Sequence, residues 1–160
     1  MIRRLGRSHP RAVVSGLAAL ALLASTALPQ LGDASTSHKL VLGSKYFLAR
    51  VGGGGIGWGT TRPKTIFNGG DPSGYVTKIT WTAWGGKTAI GYGRNWIFKP
   101  TGGYYSSPVT IELKAVNVGL CYRGGPPAYR RLVAREPSRP GGRMGAWFVW
   151  GDQKTICKWQ

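Results

Sequence analysis

The chain predicts an all-β fold, an antiparallel β-sandwich or alternatively a small β-barrel, behind an N-terminal signal helix. Three observations lead there. Short runs rich in Thr, Val, Ile, Tyr and Trp are punctuated by turn formers, with 26 glycines and 10 prolines in 160 residues. Beyond residue 27 no stretch repeats its apolar residues at helical spacing. Six or seven such runs follow one another at the spacing that sandwiches and barrels share.

Residues 1–27 stand apart. Arg3, Arg4, Arg7 and Arg11 precede an apolar run from Val13 to Ala24 in which only Ser15 is polar, and the small residues Ser25, Thr26 and Ala27 offer a cut site. That order is the pattern of a secretory signal peptide. The apolar run is shorter than the ~20 residues a transmembrane helix needs. A second cut position lies at Gly32-Asp33-Ala34. No cysteine stands near either position for a lipid anchor, and no later apolar run supplies a transmembrane anchor after cleavage. The expectation is a secreted, extracellular protein laid out as a leader (1–27), an N-terminal extension with a Gly-rich linker (28–62) and a single β domain (63–160). Removal of the four leader arginines takes the net charge from +17 to +13. An excess of that size makes polyanions the natural partners.

Along the chain, Leu40 to Val51 can form a strand or two, interrupted at Gly43. Gly52 to Gly55 lack the lysine and hydroxyl spacing of a phosphate-cradling loop and read as a hinge or hairpin tip. Thr65 to Phe67 is a short strand, followed by a turn over Asn68-Gly69-Gly70-Asp71-Pro72-Ser73-Gly74. Val76 to Trp84 alternates, placing Ile79, Trp81 and Ala83 on one face and Lys78, Thr80, Thr82 and Trp84 on the other. Gly85-Gly86 suits a tight hairpin. Thr88 to Trp96 returns with Ala89, Gly91 and Gly93 on one face, small enough to make room for the indoles opposite. Pro100 to Pro108 is a loop. Val109 to Val118 is the clearest strand, with Val109, Ile111, Leu113 and Ala115 inward and Thr110, Glu112 and Lys114 outward. Ala128 to Arg135 and Ala146 to Trp150 complete the set.

Cys121 and Cys157 are the only cysteines and are expected to pair in an oxidising compartment. Closing that loop stabilises the fold by roughly 4 kcal/mol in the chain-entropy account. Too few ligands stand near either cysteine for zinc, and neither a metal nor a cofactor is expected. The catalytic inventory is thin. His9 leaves with the leader, so a Ser-His-Asp arrangement would have to use His38 in the N-terminal stretch. The five acids are Asp33, Asp71, Glu112, Glu136 and Asp152. Glu112 and Asp152 could converge as a glycosidase pair, although Glu112 beside Lys114 reads more simply as a solvated strand face. No catalytic residue is therefore assigned.

Two groups point to binding. Arg123, Arg130, Arg131, Arg135, Arg139 and Arg143 crowd a segment holding one acid, Glu136, and Arg131 and Arg135 share a strand face with Tyr129 and Val133. Arginine offers bidentate donors to phosphate and carboxylate. Arg130, Arg131, Arg135 and Arg139 are thus candidates for a polyanion-binding strip, the alternative being a solvated basic face. Seven tryptophans, with several tyrosines, exceed what a core of this size needs. Trp84, Tyr104 and Tyr105 are candidate stacking surfaces for sugars. The alternative is that Trp81, Trp147 and Trp96 build the core and the rest are scattered.

The segment Ile79-Thr80-Trp81-Thr82-Ala83-Trp84-Gly85-Gly86-Lys87-Thr88-Ala89-Ile90-Gly91-Tyr92-Gly93 resembles a widespread group of small secreted actinobacterial proteins of unknown function. Their pattern is a Trp-x-x-Trp-Gly strand, a tight turn, then Ala-x-Gly-x-Gly. Pro63 to Asp71 is similar to their upstream Pro-x-x-Ile stretch, with one extra residue before the aspartate. Val109 to Cys121, followed by Tyr129, is similar to their downstream strand. The likeness spans about residues 63–133 and implies a signal peptide and a compact β-rich body. It carries over no activity and no site residue, and the Arg/Pro/Gly stretch and tryptophan-rich tail depart from it. The expected function is a non-catalytic module binding anionic polymers or glycans of the cell envelope. Nucleic acid fits the charge but is not favoured. The alternatives are a structural or inhibitor-like interaction protein and, third, a small extracellular hydrolase.

Overall fold

The computed structural model describes residues 39–47, 55–152 and 154–158, all within the compact unit Thr36–Gln160. The leader, the second cut position, His38 and Trp159 lie outside the described residues, as does the Asp152 side chain.

The all-β expectation holds. Seven strands form one curled mixed sheet, a half-barrel, nearer the barrel than the sandwich of the two arrangements the sequence allows. They are β1 (Val41–Leu42), β2 (Ile66–Phe67), β3 (Tyr75–Ala83), β4 (Ala89–Asn95), β5 (Val109–Leu120), β6 (Pro127–Arg135) and β7 (Phe148–Val149). The order is β1-β6-β5-β4-β3-β2, with β7 also on β6. Only β1 runs parallel to its neighbour, and it shares the outer side of β6 with β7, each at one end.

β5 and β6 form the backbone of the sheet. Val109, Ile111, Leu113 and Ala115 alternate inward and are all buried, facing Leu132 and Ala134 from β6. Burying such aliphatic side chains contributes about 1.5–3 kcal/mol each. The domain begins earlier than residue 63. Leu42 and Trp58 are in the core with Phe47, and the Trp58 indole donates to the Phe67 carbonyl at 2.7 Å, so these residues of the supposed linker belong to the domain. The strand expected before Gly43 is β1, and what local sequence could not supply is its partner, β6, which lies almost 90 residues away.

The β3–β4 hairpin departs from simple alternation. Register shifts between Thr77 and Thr80 and between Trp81 and Ala83 insert extra residues into β3, and Lys78 takes φ 51° at the first. Each bulge reverses the side-chain alternation beyond it. As a result Val76 and Ile79 are both buried, and Trp81 and Trp84 pack against the same core with ring centroids 4.6 Å apart, rather than on opposite faces. Gly91 is where the sequence placed the room for an indole: a Cβ there would lie 2.8 Å from the Trp81 ring. The connection spans residues 84–88, longer than the two glycines, and the buried Tyr129 hydroxyl clamps it by accepting from the Gly85 amide and donating to the Gly86 carbonyl, both at 2.9 Å.

Cys121 and Cys157 form a disulfide with their Cα atoms 4.9 Å apart. It joins the end of β5 to a C-terminal segment that is itself part of the packing. The Ile156 side chain is fully buried, its amide donates to the Arg130 carbonyl at 2.9 Å, and its carbonyl accepts from the Ser44 amide at 3.1 Å.

Candidate functional site

The outer surface of β4, β5 and β6 is the first candidate. Pairing aligns Tyr92, Glu112 and Arg135 across the three strands, Ile90, Lys114 and Val133 in the next row, and Val116 with Arg131 beyond it. Arg94 sits opposite Thr110 and donates to its hydroxyl at 3.1 Å and to the Pro108 carbonyl. Arg94, Lys114, Arg131 and Arg135 therefore share one face with a single acid, Glu112. That acid is not a solvated strand position. It is only 8% exposed, accepts from Arg135 Nε at 2.6 Å and receives a long bond from the Tyr92 hydroxyl at 3.4 Å. It is committed to an ion pair with Arg135, while the Asp152 side chain expected opposite it lies outside the described residues.

The six predicted binding residues other than Trp84 divide by freedom. Arg131 and Arg139 are exposed with no side-chain partner among the described residues. Arg135 is held by Glu112 and lies over the Trp147 ring, 4.7 Å from guanidinium carbon to centroid, with Lys114 Nζ against the same ring at 4.2 Å. Trp147 thus stands among the cations of the outer face, not in the core. Arg130 points elsewhere: its guanidinium donates to the Asn117 side-chain and backbone oxygens and would meet a Cβ at Gly119. Tyr104 and Tyr105 are both half-buried in the 96–108 loop, Tyr104 against Phe98 with ring centroids 4.3 Å apart. Trp84 offers no open platform. Its indole donates to the Leu40 carbonyl at 3.0 Å, and its ring packs edge-on against Trp81 and Tyr129.

The second candidate was not legible in the sequence. A cleft of about 410 Å³ opens where β4 and β6 end, bordered by the Asn68–Gly74 turn, Asn95, Phe98, Glu136 and the Phe148–Gly151 segment. Asp71 caps the 3-10 turn at Pro72–Gly74, with Oδ1 accepting from the Ser73 amide at 3.0 Å and hydroxyl at 2.5 Å. The Ser73 hydroxyl bond holds the Asp71 carboxyl below its ordinary pKa against a desolvation effect of opposite sign. The Tyr104 hydroxyl acts on the same carboxylate and helps lower that pKa, without a hydrogen bond of ordinary geometry. Glu136 is the opposite case. Burial pushes its carboxyl above the ordinary range, and the bond from Asn95 Nδ2 at 2.8 Å only partly offsets this.

Asn95 is 1% exposed and its Oδ1 has no hydrogen-bond partner; Trp150 is 3% exposed and its Nε1 has none either. Buried polar atoms are paired in the great majority of native structures. Two orphans from residues bordering one cleft, with a third at Tyr104, mark the place where polar capacity is unspent. Among the described residues no group of three His, Cys, Asp or Glu side chains converges in a metal-binding arrangement.

The chain matches no known protein family, and no curated protein or solved structure is significantly similar to it. The disulfide is compatible with an extracellular protein. Among the described residues no helix is long and apolar enough to cross a membrane.

Proposed function

We propose that the protein works outside the cell as a non-catalytic module that holds anionic polymers of the cell envelope against the outer face of β4, β5 and β6. One observation carries this reading: four cations on that face meet a single acid, which is already paired. Arg131 is the exposed, uncommitted donor, Lys114 and Arg135 set a positive field around Trp147, and Arg139 extends it beyond the strand. The net charge of +13 that remains once the four leader arginines are gone (17 − 4) draws polyanions toward the molecule.

The disulfide-bonded protein is expected to be retained on immobilised poly(glycerol phosphate) at low ionic strength and released by salt, because screening shortens the reach of surface charges. Retention that ignores salt, or none at low salt, overturns the reading. Export is tested separately by N-terminal sequencing of culture supernatant, where the first residue is expected to be Leu28 or Ser35; a cytoplasmic product beginning at Met1 refutes it.

A protein-interaction role is the second reading. It is favoured by Leu120, Val118, Tyr122 and Tyr46, all large and exposed near the end of β5, where the two tyrosine rings meet edge-on at 5.2 Å.

A further inference from the structure

We propose that the cleft between the Asn68–Gly74 turn and the Phe148–Gly151 segment is a second site, taking a neutral pyranose unit of a glycan. It stands independently of the basic face. The argument starts from the two orphaned atoms. Asn95 Oδ1 is an acceptor needing an O–H or N–H, and Trp150 Nε1 carries a donor needing an oxygen. A hydroxyl supplies either function, and a ring bearing several hydroxyls supplies both from one ligand. A buried donor or acceptor left unpaired carries a desolvation cost that a ligand engaging it removes.

The walls match the rest of a sugar. Phe98 is 53% exposed and Phe148 40% exposed, and both border the cleft, so flat apolar rings are available for the CH faces of a pyranose. The Phe148 ring lies 6.4 Å from the Trp150 indole, centroid to centroid. Both orphaned atoms are themselves buried, so a ligand reaches them only with side-chain movement at the cleft wall. At about 410 Å³ the cleft falls within the roughly 300–1,000 Å³ of small-molecule sites.

Charge excludes the competitors. Asp71, held ionised at the rim, repels phosphate and carboxylate, so the cleft and the basic face select opposite ligands. The acids also raise the question of a hard cation. Such an ion needs converging oxygens, whereas the Trp150 indole presents a donor and Asn95 Nδ2 occupies Glu136 Oε2.

The test follows the Trp150 Nε1–H resonance of the full disulfide-bonded protein by NMR, assigned by its loss in Trp150→Phe. Addition of chitotetraose or cellotetraose at millimolar concentration is expected to shift that signal, and Phe98→Ala to weaken the response at least tenfold. Arg131→Glu is expected to leave it unchanged. If Trp150→Phe does not fold, Phe98→Ala, altering an exposed ring, still reports through the cleft amides. The proposal is overturned if neither oligosaccharide moves the signal, if Phe98→Ala responds like the parent, or if calcium or poly(glycerol phosphate) alone produces the shift.

Discussion

The basic outer face and the cleft are built from opposite materials. On the face nearly every polar group has found a partner: Arg94 bonds Thr110, Arg135 bonds Glu112, and Lys114 rests on Trp147. Its capacity to bind is the surplus charge left over, concentrated at Arg131 and Arg139. In the cleft the charges are few and opposed in behaviour, while the neutral groups Asn95 Oδ1 and Trp150 Nε1 are unmet. A surplus of charge binds broadly and weakens with salt. Unmet neutral donors and acceptors discriminate by geometry and respond little to it. The two regions therefore answer to different perturbations.

The largest effect is expected from removing the disulfide, which staples the C-terminal segment carrying Trp150 and Ile156. Cys121→Ala with Cys157→Ala should lower stability by roughly 4 kcal/mol in urea unfolding. The Trp150 indole signal should broaden before salt-dependent retention on polyanion is lost, because Arg131 belongs to β6 itself. Simultaneous loss of both would erase the contrast between the regions. Next, Arg135→Ala leaves Glu112 nearly buried without its cation. We expect a loss near the lower end of the ~1–3 kcal/mol range for an unsatisfied buried group, since Arg135 is partly solvated. A stability unchanged in thermal melts would show that the ion pair contributes nothing to the face.

Arg131→Glu with Arg139→Glu should reduce polyanion affinity at least tenfold, about 1.4 kcal/mol, while changing stability by less than about 0.5 kcal/mol, as surface substitutions do. The same double variant losing its oligosaccharide response would merge two sites into one. The smallest effect is Glu136→Gln, which keeps an oxygen for Asn95. A carboxyl with a raised pKa binds its proton more tightly folded than unfolded, so stability falls as pH rises from the ordinary carboxylate value through the raised one. The glutamine variant should thus be more stable than the parent by about 0.5 kcal/mol at neutral pH and equal to it in acid. Asp71 contributes in the reverse direction, its stabilisation present at neutral pH and lost as pH falls through its lowered pKa. A Glu136→Gln melt that is parallel to the parent at every pH would mean that the cleft does not tune its acid.

The parts that could be read in advance are local. β5 announces itself because its alternating residues run without interruption, and Gly91 beneath Trp81 is inferable from adjacent strands of one hairpin. Arg131 and Arg135 could be assigned one strand face for the same reason, though Tyr129, read as sharing it, is buried in the core. Trp84, Glu112 and Trp147 could not be placed. A bulge turns Trp84 inward, a cross-strand Arg135 shelters Glu112, and Trp147 is held by Lys114 of β5 and Arg135 of β6. The cleft escaped entirely, since Asp71, Asn95, Glu136 and Trp150 share no spacing or motif.

Composition and periodicity alone established a β-rich, strongly basic chain with two cysteines suited to pairing, because those properties depend on residue type and on neighbours two positions apart. Tertiary structure decided the single curled sheet, the entry of Leu42, Phe47 and Trp58 into the core and the meeting of four distant residues around one cavity. Those outcomes depend on strand register and on bulges, and a single inserted residue reverses every side chain that follows it.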